Sequence, residues 1–131
     1  MPEAVPAVPG ADHLVQWFGE WPSFHDAEVV EISLRREGVS HVRIRTWRVT
    51  SELDAGGYFI LDRHAIVTIS LEEITGLELA DFSVQNIVGN VTIEPTQVGH
   101  RVNLNSCFGV GGYIEAASVV LSLEPYEPRV S

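Results

Sequence analysis

The stretch WPSFHDAE, residues 21–28, holds the side chains of this sequence that are best suited to chemistry. His25, Asp26 and Glu28 supply one imidazole and two carboxylates, groups that bind metal ions or transfer protons in catalysis. A second histidine next to acidic and basic neighbours, His64, follows farther along the chain. These residues define one hypothesis: a domain that binds a metal or a small ligand, or an enzyme, built on the His25, Asp26 and Glu28 cluster.

The spacing of these residues argues against that chemistry. Neighbouring residues of a strand point to opposite faces, so His25 and Asp26 reach one ion together only if the segment is a loop. The pattern matches neither the H-x-x-x-H nor the C-x-x-C spacing of zinc sites, and no nucleophile motif accompanies it. Cys107 is the only cysteine, which excludes an internal disulfide and predicts a small packed residue. The sequence therefore predicts no catalytic, metal-binding or cofactor-binding residue, and not an enzyme.

The strand that follows the cluster predicts a structural role for its carboxylates. VVEISLRR alternates apolar and polar side chains, which predicts a strand over residues 29–36. Counting back along it places Asp26 and Glu28 at the rim of the apolar face, where an unpaired charge is costly. Pairing with a next strand over residues 41–50 sets Glu28 opposite Arg48. The sequence therefore predicts an ion pair between these two side chains.

The other residues of the segment divide into buried and exposed positions. Trp21 and Phe24 are expected to be core anchors that dock a preceding helix onto the sheet. Asp26 is expected to form a turn by accepting hydrogen bonds from nearby backbone N–H groups. His25 is the member most expected to face solvent.

Most of the chain is typical of short strands joined by turns. One helix is expected over residues 13–19, with Asp12 as its N-cap and Gly19 as its end. Beyond the first two strands, alternation of apolar residues predicts strands over residues 58–71, 84–94, 100–108 and 113–123.

These elements predict an all-β fold with one short N-terminal helix and about six antiparallel strands in a meander, forming a sandwich or half barrel. A chain of 131 residues fits one domain. We expect residues 1–11, rich in Pro, Ala and Val, to be a flexible arm, and residues 12–131 to be a single β-rich domain.

The charge of the chain restricts its partners. Eighteen acidic residues against eight arginines, with no lysine, give a formal net charge of −10. This charge argues against binding to nucleic acid or to an anionic membrane, and it favours a cationic partner. The first residues carry an acid, no base and several prolines, which does not fit a secretory signal, so a cytoplasmic protein is expected.

A polar row predicts a possible recognition surface on one face of the sheet. Asparagine is disfavoured on strands, so several asparagines together indicate either a recognition surface or, as the simpler alternative that we favour, a solvated face of the sheet. The expected members are Asn86, Asn90, Thr92 and Glu94, with Asn103 and Asn105 beside them.

The segment WPSFHDAEVVEISL resembles the opening of the immunity protein 50 family, small proteins encoded beside polymorphic toxins of bacteria. The likeness continues through DFSVQNIV and FGVGGYIEAASVVLSLEP, and so covers most of the chain after residue 12. The resemblance implies a protein that binds a cognate toxin and neutralises it by stoichiometric interaction. A basic toxin such as a nuclease fits the acidic composition. The residues that match the family motif are Trp21, Phe24, His25, Asp26 and Glu28.

Overall fold

The computed structural model of this protein describes residues 5–126, which form one helix and six strands. The elements are α1 (Ala11–Phe18), β1 (Ala27–Ser33), β2 (Ser40–Leu53), β3 (Phe59–Ala80), β4 (Ile87–Pro95), β5 (His100–Phe108) and β6 (Gly111–Pro125). All pairings are antiparallel, and the order β1-β2-β3-β6-β5-β4 closes because β4 pairs with β1. The predicted all-β class with a short N-terminal helix is confirmed. The sheet closes fully into a barrel, where we expected a sandwich or half barrel.

The barrel interior is filled by aliphatic side chains that alternate along the strands. Each such side chain contributes about 1.5–3 kcal/mol when it leaves water. Its fully buried members include Val42, Ile44, Val67, Ile69, Leu71, Val88, Val91, Val102 and Ile114.

Helix α1 buries its apolar stripe against this core. Leu14 and Phe18 are buried, and the helix ends as predicted at Gly19, which has a φ of 85°. We expected Asp12 to cap a helix that begins at residue 13, but the helix begins two residues earlier, at Ala11, so Asp12 is not the N-cap. The N-cap is Gly10, which has a left-handed conformation and no side chain to donate or accept a hydrogen bond.

The described part of the predicted arm, residues 5–11, contacts the barrel. Val8 is buried, and the Leu121 N–H of β6 donates a 2.8 Å hydrogen bond to the Pro9 carbonyl. The rest of the predicted arm, residues 1–4, and the end of the predicted domain, residues 127–131, lie outside the described residues.

Strand β3 is longer than the sequence pattern indicates. We expected it to end at Leu71 and a connection to span residues 72–82. The strand instead continues to Ala80, and this extension pairs with β6 as far as Ala80 opposite Gly111, with one irregularity between Ile74 and Gly76. The glutamates of the extension are exposed, and backbone pairing to β6 therefore decides the conformation where side-chain pattern does not.

A β-bulge changes the register of β1 against β2. The irregularity lies between Val29 and Glu31, and it reverses the alternation on which our face assignment depended. Glu28 therefore lies opposite Arg45 and faces outward, away from the apolar face. The predicted ion pair between Glu28 and Arg48 is wrong.

Candidate binding surface

The aromatic residues of the WPSFHDAE segment are core residues, as predicted. Trp21 is 9% exposed and Phe24 is 2% exposed. Their ring centroids lie 5.9 Å apart in an edge-to-face arrangement, which adds about 0.5–1.5 kcal/mol beyond the burial of their area. The segment therefore anchors the entry to β1.

His25 and Asp26 form an exposed turn just before β1. Their side chains are 72% and 62% exposed, and His25 Nε2 lies 3.5 Å from Asp26 Oδ2. The Ala27 N–H closes the turn by donating a 3.0 Å hydrogen bond to the Phe24 carbonyl. Phe24 and Asp26 have φ values of 59° and 62°, an uncommon left-handed conformation for residues other than glycine. The surrounding packing holds this turn in a strained shape.

Glu28 does not join that turn in a common site. Its Oε1 accepts a 3.2 Å hydrogen bond from Arg45 Nη1 on the outer face of the barrel. Among residues 5–126, no group of three or more His, Cys, Asp or Glu side chains is placed to hold a metal ion. The cluster of His25, Asp26 and Glu28 is thus an exposed turn and a separate ion pair.

Strands β2 and β3 extend beyond the barrel as a two-stranded hairpin. The last residue of β2 that pairs with β1 is Arg45, and the first residue of β3 that pairs with β6 is Ala65. We call residues 49–61 the projecting hairpin. Its turn is fixed by Asp54, whose Oδ1 accepts hydrogen bonds of 2.9 and 3.0 Å from the N–H groups of Gly56 and Tyr58.

The projecting hairpin exposes apolar side chains on both of its strands. Val49 lies opposite Leu61, and Leu53 lies opposite Phe59. Paired residues share a face, so each pair places two apolar side chains side by side, with an irregularity in the register between the two pairs. Each is between 42% and 58% exposed.

An aromatic cluster lies on the barrel next to the base of the hairpin. The Trp47 ring centroid lies 6.1 Å from that of His64. His64 in turn contacts Tyr126 edge-to-face at 5.7 Å. We call this cluster, together with the four apolar side chains of the hairpin, the aromatic stripe; its members are Trp47, Val49, Leu53, Phe59, Leu61, His64 and Tyr126.

Two polar groups within the aromatic stripe have unusual surroundings. His64 Nδ1 is buried and has no hydrogen-bond partner among the described residues. Burial raises the pKa of the Tyr126 phenol, and the Arg45 guanidinium, 5.6 Å from the ring centroid, acts in the opposite direction. A buried polar atom without a hydrogen bond, such as His64 Nδ1, is uncommon in a folded protein.

Arginine contacts fasten the base of the projecting hairpin. Arg48 Nε and Nη2 donate hydrogen bonds of 2.8 and 2.7 Å to the two carboxylate oxygens of Asp62, a bidentate pair. The Arg63 guanidinium lies 4.9 Å from the centre of the Trp17 ring, and the Trp17 indole N–H donates to the Arg63 carbonyl at 3.0 Å. Helix α1 and the hairpin base are thus tied together.

The Arg48–Asp62 pair makes stability depend on pH. The hydrogen bond from Arg48 lowers the pKa of the Asp62 carboxyl below its usual value of 3.8. The stabilisation is therefore complete above about pH 4 and is lost as the pH falls through the lowered pKa. Asp62→Asn should lower the melting temperature at neutral pH, and the gap to the wild type should close in acid.

Thermal melts followed by circular dichroism at about pH 7 and about pH 2 measure this difference. Glu72→Gln, which removes an exposed carboxylate of β3, is the matched control and should track the wild type. A constant gap between Asp62→Asn and the wild type across this range would refute the linkage.

The predicted polar row is partly correct. Asn105 Nδ2 donates to Asn90 Oδ1, and Asn103 Nδ2 donates to Thr92 Oγ1 at 3.1 Å, so these residues do lie side by side. Asn86 does not belong to this surface, because it is buried and bonded to the backbone of neighbouring loops. This ladder of amides satisfies its own hydrogen bonds.

Cys107 was expected to be packed, and it is instead exposed. It lies beside Gly89, where an added Cβ would come 3.2 Å from the cysteine Sγ. A glycine within a strand is typical of a bulge or of a close backbone approach, and the register of β4 against β5 is indeed irregular between Val88 and Asn90.

The chain was compared with models of known protein families, with curated proteins and with solved structures, and no match was found in any of the three. Within residues 5–126, no helix has the length and apolar character needed to cross a membrane.

Proposed function

We propose that this protein is a cytoplasmic immunity protein that binds a cognate bacterial toxin and neutralises it by stoichiometric protein–protein interaction. The resemblance of its WPSFHDAE segment to immunity protein 50 sequences suggests the class. The aromatic stripe is the observation that carries the proposal, because it offers a binding surface that the motif itself does not.

The composition of the aromatic stripe is that of an interface centre. Tryptophan, tyrosine and arginine contribute most of the binding energy in many protein complexes. Here His64 lies between Trp47 and Tyr126, and the Arg45 guanidinium lies over the Tyr126 ring. Contiguous exposed apolar patches are uncommon on proteins that have no partner. A partner that covers Phe59 and Leu61 would remove this apolar surface from water.

The projecting hairpin also gains stability from a partner. A two-stranded hairpin outside a larger sheet is marginally stable in water, since it has few side chains to pack against. Its exposed segment from Ser51 to Leu61 therefore has a physical reason to be covered. A protein partner supplies both apolar contacts and a folded surface.

The test is a binding assay with the toxin encoded in the gene next to that of this protein. Wild type should form a complex of one chain with one toxin molecule and should protect cells that produce the toxin. The double variant Phe59→Ser and Leu61→Ser should bind at least about tenfold more weakly, because interface centres lose more than 1 kcal/mol per truncated anchor. Titration calorimetry measures both stoichiometry and affinity.

The matched control is Val84→Ser with Val98→Ser, two exposed apolar residues outside the aromatic stripe. It should bind as the wild type does, and both variants should keep the wild-type far-ultraviolet spectrum. Failure of the wild type to bind the toxin would overturn the proposed function. Equal binding by the stripe variant and its control would show that the stripe is not the interface.

A further inference from the structure

The projecting hairpin is narrow and exposed enough to fit into a cleft of another protein. It is two strands wide, about 4.8 Å between strand axes, and every residue from Ser51 to Leu61 is exposed. Beyond the barrel, neither β1 nor β6 pairs with its outer edges within the described residues. A convex surface of this kind buries most area when it enters a concave one.

The charges of the hairpin indicate what lines that concave surface. Residues 49–61 contain Glu52 and Asp54 and no basic residue. The arginines nearest to it are already engaged: Arg45 with Glu28, Arg48 with Asp62, and Arg63 with the Trp17 ring. The hairpin therefore presents negative charge together with apolar side chains.

These charges also indicate which kind of partner binds the hairpin. A second copy of the chain would bring the same two acids and a net charge of −10 against this surface, and would be repelled. A partner with arginine or lysine side chains around an apolar floor would be attracted. We infer that the projecting hairpin enters a concave, positively charged cleft of the toxin, of the kind that holds a polyanionic substrate. This inference rests on the proposed function, and it specifies the cleft of the toxin that the hairpin would occupy.

The experiment removes the hairpin charges without changing its shape. Glu52→Gln with Asp54→Asn keeps side-chain size, and the asparagine retains the Oδ1 that accepts the turn hydrogen bonds. The control, Glu72→Gln with Glu78→Gln, removes two exposed charges from β3 outside the hairpin. Each pair removes two negative charges from the net −10 and leaves −8, so any difference between them is local.

The association rate constant with the toxin encoded by the adjacent gene should fall by about threefold to tenfold at low salt in the hairpin variant, and much less in the control. Heparin, a polyanion that occupies basic clefts, should displace the wild-type protein from the toxin. Stopped-flow fluorescence and a heparin titration give the two readouts.

Equal association rates for the two charge variants, or a complex that heparin leaves intact, would overturn the cleft assignment. If the wild type still bound the toxin one to one, the proposed function would stand. Absence of wild-type binding would instead overturn the proposed function itself. The two failures are therefore separated in one set of measurements.

Discussion

Trp21→Ala is expected to lower the free energy of unfolding by about 3–5 kcal/mol, the range for truncation of a large aromatic in a packed core. The ring is almost fully buried and contacts Phe24 edge-to-face, so its removal leaves a cavity and also ends an aromatic pair. Chemical denaturation followed by circular dichroism measures the change. The slope of the transition should stay constant if only stability is altered.

The control for this prediction lies four residues away in the same segment. His25→Ala replaces a side chain that is 72% exposed, and it should change the free energy of unfolding by no more than about 0.5 kcal/mol. A loss below about 1 kcal/mol in Trp21→Ala would contradict the anchoring role. The pair of results would separate the folding residues of the motif from its exposed turn.

The fold class was predictable because it depends on patterns that local sequence carries. Alternating apolar residues gave the strands β5 and β6 nearly at their true bounds, and Gly19 ended the helix as expected. The burial of Trp21 and Phe24 followed from their position between a helix and a strand. None of these features depends on which strands are neighbours in space.

The register could not be predicted in the same way. A single bulge between Val29 and Glu31 moves every earlier side chain of β1 to the other face, and nothing in VVEISL marks the bulge. The assignment of Glu28 to Arg48 failed for this reason, and also because the two strands pair two residues away from the expected register, with Ile32 opposite Val42. Arg48 is paired with Asp62, a residue of β3 whose neighbour in the sheet depends on a second irregularity, between Thr46 and Arg48.

The aromatic stripe was missed because its members are distant in sequence and ordinary in pattern. YFIL, residues 58–61, is an apolar run of the kind that fills a strand in a core. Only the pairing shows that β1 and β6 stop short of it, which leaves Phe59 and Leu61 in solvent. Tyr126 joins the stripe through a contact with His64 that no sequence spacing indicates.

The motif and the aromatic stripe are connected through the architecture. Glu28, in the motif, is bonded to Arg45, which lies over the Tyr126 ring at the barrel end of the stripe. The exposed turn of His25 and Asp26 comes just before this position on β1. The motif thus supports one border of the proposed interface even though its aromatic residues are buried.

Asn86→Ala is expected to lower the free energy of unfolding by about 3 kcal/mol, because a buried polar group without its partner costs about 1–3 kcal/mol. The side chain is 3% exposed. Its Oδ1 accepts 2.9 Å hydrogen bonds from the Ser83 and Val110 N–H groups, and its Nδ2 donates to the Ser83 carbonyl at 2.9 Å. Alanine would remove all three hydrogen bonds and leave the buried Val110 N–H without a partner where the loop before β4 meets the turn before β6.

Asn90→Ala is the matched control, since the same side chain on the neighbouring strand surface bonds only to the exposed amide of Asn105. Water replaces that partner, so the expected change is within about 0.5 kcal/mol. Equal destabilisation by the two substitutions would refute the structural role of Asn86. A large difference would show that asparagines in one predicted polar row serve two purposes, because burial alone decides how much each amide contributes.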